Sequence, residues 1–135
     1  MNWLQIQSQN NPQKLFIQED RETFSYMNVA EMVKIYSQSF LKEGIKSCDR
    51  ILIYLPGGIQ MAEIILTCFE IGAIAAPISR RLTKIERNAV IEKIQPKLII
   101  TSREYKAALT PYCLPLLSIE NLSNSSSGLK NEYEK

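Results

Sequence analysis

Between positions 27 and 43 apolar residues recur at helical spacing. Val29, Met32, Val33, Tyr36 and Phe40 alternate with Glu31, Lys34 and Gln38. This stripe predicts a helix with one wet face. Gly44 stands where a helix-ending glycine is expected, and Ser25 is placed to cap the first turn. Upstream, Trp3, Leu4 and Ile6 suggest a short amphipathic start before Pro12. Leu15-Phe16-Ile17 and Thr23-Phe24-Ser25 flank the polar turn Glu19-Asp20-Arg21-Glu22, a pattern that predicts a β-hairpin.

Downstream the pattern changes. Ile51-Leu52-Ile53-Tyr54-Leu55 is a continuous apolar run closed by Pro56-Gly57-Gly58, as in a parallel strand buried on both faces. Residues 59–71 are apolar nearly all round, which predicts a helix packed between layers and ended by Gly72. Ile74-Ala75-Ala76-Pro77-Ile78 reads as a second strand. Thr83-Lys84-Ile85-Glu86 fits a capping box opening a helix to about 94. Lys97-Leu98-Ile99-Ile100 is a third strand. Thr101-Ser102-Arg103-Glu104 reads as another capping box, opening a shorter helix stopped by Pro111. A last strand is expected over 114–119. The alternation predicts an α/β fold, a mostly parallel sheet with helices on both faces, preceded by a short β-hairpin. After Glu120 the composition turns to Asn, Ser, Gly, Lys and Glu. Residues 1–120 are therefore expected to form the folded unit, and 121–135 a polar linker or tail.

Composition narrows the chemistry. The 135 residues suit one domain or a large part of one. With 16 basic and 14 acidic residues the net charge is +2, too small to imply nucleic acid or an anionic membrane as partner. No apolar stretch is long enough to span a bilayer, and the first residues lack a secretory pattern. The expectation is a cytoplasmic protein with no membrane span. Cys48, Cys68 and Cys113 are far apart, so neither a disulfide framework nor a zinc site follows. The absence of histidine excludes any Ser–His or Cys–His pair built from this chain alone.

Sheets of this kind bind ligands at the carboxyl ends of their strands, which directs attention to three loops. Pro56-Gly57-Gly58 could offer amides to a phosphate. The favoured reading is a tight turn, since the further glycines of a phosphate loop are missing. Arg80-Arg81 could take a phosphate or carboxylate, and so could Arg103 and Lys106 after the third strand; ordinary surface charge is the leading alternative for both pairs. The Ser- and Gly-rich stretch 123–130 has no strand before it and reads as linker. Glu63, Glu70, Glu86 and Glu92 have no recognisable acid–base partner and read as helix-surface charges or caps.

The order of these motifs, over about 15–101, resembles the start of the adenylate-forming (AMP-binding) superfamily of acyl-CoA synthetases, luciferases and peptide adenylation domains. Phe24-Ser25-Tyr26 before a helix resembles its Thr-Tyr opening. Gly44-Ile45-Lys46-Ser47-Cys48-Asp49-Arg50 resembles the turn Gly-Val-x-x-Gly-Asp-Arg, with Cys48 where glycine is usual. Phe69-Glu70-Ile71-Gly72-Ala73 resembles Lys-x-Gly-Ala, and residues 77–86 resemble Pro-Leu-Asn-Pro-Arg-Leu-Thr-Pro-Glu-Glu. Asn2-Trp3-Leu4 and Arg81-Leu82-Thr83-Lys84-Ile85-Glu86-Arg87 look most like the o-succinylbenzoate–CoA ligase branch of menaquinone and phylloquinone synthesis.

The resemblance implies a parent enzyme that is an ATP-dependent acid–CoA ligase acting on a small carboxylic acid, with ATP, Mg2+ and CoA as cofactors. The family's chemical motifs come later in its chains, so no catalytic or metal-binding residue is carried over here. Arg103 and Lys106 remain as candidates for the CoA phosphates. The chain alone is expected to be an inactive N-terminal piece that binds no cofactor tightly. Exposed apolar surface and self-association are expected of such a piece. The alternative is a non-enzymatic binding or assembly module that keeps the scaffold. An unrelated nucleotide-binding domain fits less well, for want of a phosphate loop.

Overall fold

The two most apolar runs of the chain lie side by side at the centre of a sheet. The structure, a computed structural model, describes residues 3–125. In chain order the elements are α1 (Trp3–Asn10), β1 (Leu15–Glu19), β2 (Glu22–Ser25), α2 (Tyr26–Lys42), β3 (Arg50–Tyr54), α3 (Ile59–Ile71), β4 (Ile74–Pro77), α4 (Lys84–Ile94), β5 (Leu98–Thr101), α5 (Lys106–Leu109), β6 (Leu116–Ser118) and α6 (Ile119–Ser125). Three-residue 3-10 turns flank α5 on both sides. Strands β1 and β2 form an antiparallel hairpin, and the other four form a parallel sheet in the order β4-β3-β5-β6. The expected α/β fold, a parallel sheet between helices with a leading hairpin, is what the chain adopts.

Register explains why the strands read as unbroken apolar runs. Ile51, Leu52 and Ile53 lie opposite Leu98, Ile99 and Ile100. Successive side chains alternate between faces, and here both faces are covered. Ile51, Ile53, Leu98 and Ile100 pack with Tyr36 and Phe40 of α2, Ile64 and Cys68 of α3, and Ile119 and Leu122 of α6. Leu52, Tyr54 and Ile99 pack on the other face with Ile91 of α4 and Leu109 of α5. A third cluster joins Leu4 to Val29, Val33 and Ile59, with Phe16, Ile17, Phe24 and Tyr26 of the hairpin region against it.

Local signals set most of the boundaries. Ser25 and Asn28 form a reciprocal capping box on α2: the Asn28 N–H donates to Ser25 Oγ at 3.2 Å, and the Ser25 N–H donates to Asn28 Oδ1 at 3.0 Å. Thr83 and Glu86 do the same for α4. Cys48, in the place where a glycine is usual, has a left-handed backbone with φ of 71°. That conformation is one glycine adopts without steric cost.

Three expectations are corrected. Thr101 does not cap a helix: it is the last residue of β5, fully buried, and its hydroxyl donates to the Tyr54 carbonyl at 2.8 Å. The following turn is served by Glu120, whose Oε2 accepts from the Arg103 N–H at 2.9 Å. Helix α3 is not enclosed all round; Phe69 in its last turn is 66% exposed. Regular structure also runs past the change in composition at Glu120. Helix α6 continues to Ser125, and Leu122 is buried in the main core.

Candidate functional site

Adjacent strands β3 and β5 send the chain to opposite faces of the sheet. After β3 it enters α3 on one face, and after β5 it enters the turn and α5 on the other. A crevice between such diverging connections is where sheets of this type bind ligands. The loops after β3, β4 and β5 all open there.

The loop after β3 is already occupied by a group of this chain. Gly58 has φ of +147°, and a Cβ built on it would lie 2.3 Å from Glu19 Oε1. The Ile59 N–H, in the first turn of α3, donates to Glu19 Oε2 at 3.3 Å. A carboxylate at a helix start satisfies free amides and complements the helix dipole. The tight-turn reading of Pro56-Gly57-Gly58 therefore gains a cause, and the Ile59 amide is met by a carboxylate of this chain. Beside this contact lies a cleft of about 770 Å³, lined by Phe24, Met32 and Tyr36 and by Glu19, Glu31 and Glu63.

The loop after β4 is tied to the turn after β5. Arg80 donates through Nη1 to the Tyr105 hydroxyl, and its guanidinium carbon lies 5.3 Å from the centre of that ring. Tyr105 meets Tyr54 edge to face at 5.6 Å. The Arg87 guanidinium also lies against Tyr54, 5.9 Å from its ring centre. Arg87 Nε donates to the Tyr112 hydroxyl at 3.0 Å, and that hydroxyl donates in turn to Asn88 Oδ1. The hydrogen bond to Tyr112 raises the Arg87 pKa further and secures its charged form. A chain of contacts thus runs from Arg80 through Tyr105 and Tyr54 to Arg87 and Tyr112, with the Arg80 and Arg87 guanidinium groups each against a tyrosine ring.

Arg103 and Lys106 are exposed and lie on either side of Tyr105 in sequence, at the turn after β5. The structure therefore brings Arg80 to the segment that carries both. Arg81 is also exposed, and its N–H donates to Ser79 Oγ at 3.1 Å. The tyrosines were not singled out from sequence. Their signal was slight: an aromatic residue with a polar tip at the end of β3, and two more within the turns around α5.

The four carboxylates divide. Glu86 is the α4 cap, and the Thr83 backbone and side-chain hydrogen bonds hold its carboxyl below the usual range. Glu63 is buried and lines the cleft. Glu70 accepts from Gln5 Nε2 at 3.2 Å, and Glu92 is exposed. Among the described residues no group of three or more His, Cys, Asp or Glu could hold a metal ion. No helix among them is long and apolar enough to cross a membrane. Part of the Ser- and Gly-rich stretch, 126–130, lies outside the described residues.

Comparison with known proteins places this geometry. A family model described as AMP-binding enzyme matches residues 4–130. The chain is 30% identical over 108 residues to 2-succinylbenzoate–CoA ligase of Oceanobacillus iheyensis, covering 79% of this chain and 22% of that protein. It is 33% identical over 82 residues to the human mitochondrial acyl-CoA synthetase short-chain family member 3, covering 61% of this chain and 12% of that protein. Its fold matches o-succinylbenzoate coenzyme A synthetase from Bacillus subtilis, solved with ATP and magnesium. There the TM-score is 0.82 at 17% identity, over 90% of this chain and 33% of that one. It also matches VinN solved with L-aspartate, with a TM-score of 0.87 at 19% identity over 96% and 37% of the two chains. The chain spans less than a quarter of the length of either curated relative.

Proposed function

The chain belongs to the AMP-binding enzyme family, and from that premise we propose that it forms the N-terminal sheet of an ATP-dependent acid–CoA ligase. The finer assignment is o-succinylbenzoate–CoA ligase. The observation that carries it is the 30% identity to 2-succinylbenzoate–CoA ligase over 79% of this chain.

In the proposed reaction the acid's carboxylate attacks the α-phosphate of ATP, forming acyl-adenylate and releasing pyrophosphate. The CoA thiol then attacks the acyl carbon and AMP leaves. Magnesium, where bound, offsets phosphate charge in the first step; the described residues offer it no ligand cluster. This chain's part is structural and electrostatic. Its parallel sheet supports the site. Arg103 and Lys106, exposed at the turn after β5, contact the phosphates of CoA. Alone, the chain carries out neither step, and it acts in the cytoplasm. It also self-associates when isolated, through apolar side chains left open such as Leu41, Phe69 and Ile74.

Chemical-shift titration of the purified chain tests this reading. ATP–magnesium should leave the spectrum unchanged, and CoA should give weak, saturable shifts around 103–106. An Arg103→Ala, Lys106→Ala variant should lose the CoA response. Saturable ATP binding would overturn the assignment of a scaffold role, and an unaltered CoA response in the variant would remove Arg103 and Lys106 from it.

A further inference from the structure

Arg80 is exposed yet held. An arginine free in solvent keeps its rotamers, and fixing them costs entropy. Among the described residues Arg80 has no carboxylate partner; its contacts are the hydroxyl and ring of Tyr105. Tyr105 is itself fixed, edge-on against Tyr54. Tyr54 is buried at the end of β3, and its carbonyl accepts from the Thr101 hydroxyl. The cation is therefore oriented from the core outward, by groups that do not neutralise it.

We propose that Tyr105 is a positioning residue that holds the Arg80 guanidinium at the turn carrying Arg103 and Lys106, so that the loops after β4 and β5 present one cationic surface to a phosphate ester. The inference rests on the reading of Arg103 and Lys106 given above and adds Arg80 and Tyr105 to it. A guanidinium offers a planar fork of donors suited to phosphate oxygens. Holding that fork in place before the ligand arrives reduces the ordering lost on binding.

The test is a double-mutant cycle on the 135-residue chain, with CoA as the probe and chemical-shift titration as the readout. Tyr105→Phe keeps the ring and removes the hydroxyl; it should weaken CoA binding about fivefold, the scale of one lost hydrogen bond. Arg80→Ala should weaken it at least as much. The two changes together should weaken it no more than Arg80→Ala alone, because Tyr105 acts through Arg80. Melting temperatures of the variants should match the parent chain, which separates positioning from folding. A silent Tyr105→Phe, or losses that simply add, would overturn the proposal. If Arg103→Ala, Lys106→Ala weakens CoA while the cycle is additive, only the positioning role fails. If that variant is silent while the cycle is coupled, the reading of Arg103 and Lys106 fails and the positioning role stands. No CoA binding by the parent chain would overturn both.

Discussion

The carboxylate of Glu19 fills the space that a side chain at Gly58 would need: a Cβ there would lie 2.3 Å from Glu19 Oε1. The two residues are brought together by the docking of the hairpin tip on the first turn of α3. Gly58→Ala must therefore relieve a clash as well as adopt a backbone with φ of +147°. It should cost about 1–3 kcal/mol, the range for strained backbone. Gly57→Ala, with nothing within 4 Å of its new methyl group, should change stability by less than about 0.5 kcal/mol. Urea midpoints of the two variants check this, and equal losses would remove Glu19 as the cause.

Burial decides the reactivity of the three thiols. Cys68 is fully buried and its pKa is pushed up to about 12 by desolvation, whereas Cys48 and Cys113 are exposed. Since the thiolate is the reactive form, a disulfide reagent at pH 8 should titrate two thiols in the folded chain and the third only in denaturant. Three fast thiols would mean that the α3 face of the core opens readily.

The cap of α4 carries a pH dependence of defined sign. Thr83 hydrogen bonds, backbone first and side chain second, lower the Glu86 pKa. A carboxylate with a depressed folded pKa stabilises the fold above its unfolded pKa, and the contribution is lost as pH falls through the folded value. Melting temperatures of the chain and of Glu86→Gln should therefore differ most near pH 7 and converge toward pH 3. A gap that is constant with pH would show that the carboxylate charge plays no part in the cap.

Leu122 tests where the folded unit ends. It is 3% exposed in the core with Tyr36 and Phe40. Leu122→Ala should cost about 2–5 kcal/mol, as for other buried leucines. Ending the chain after Glu120 should cost at least as much. Unchanged denaturation midpoints would mean that α6 lies on the core without supporting it.

Features governed by neighbours in sequence were legible. The stripe from Val29 to Phe40, the capping pair Thr83 and Glu86, and the run from Ile51 to Tyr54 each hold their instructions within a few residues. The family resemblance likewise rests on local motifs. Contacts across the chain were not legible. Glu19 meets Ile59 over 40 positions and Arg80 meets Tyr105 over 25, and no periodicity links such pairs. The motif at Thr101 misled because a strand end and a helix start share residue types; burial turned its hydroxyl inward. Helix α6 was missed because Ile119 and Leu122 are only two apolar positions in a polar setting, too few to show a period. Arg103 and Lys106 were chosen as candidates by their place after a strand, while the tyrosine between them in sequence, which engages Arg80, carries no charge to draw notice.

The placing of α6 has a consequence for synthesis on the ribosome. The sheet face formed by Ile51, Ile53, Leu98 and Ile100 is covered by α2, made before any of the parallel strands, by α3, made between β3 and β4, and by α6, made after all of them. Translation proceeds from the N-terminus, and a helix that has not emerged cannot cover a face. A nascent chain halted within β6 therefore exposes part of its finished strands, whereas one halted after Leu122 has emerged does not. The last two turns of helix thus set the moment at which this face of the sheet is closed to other unfolded chains.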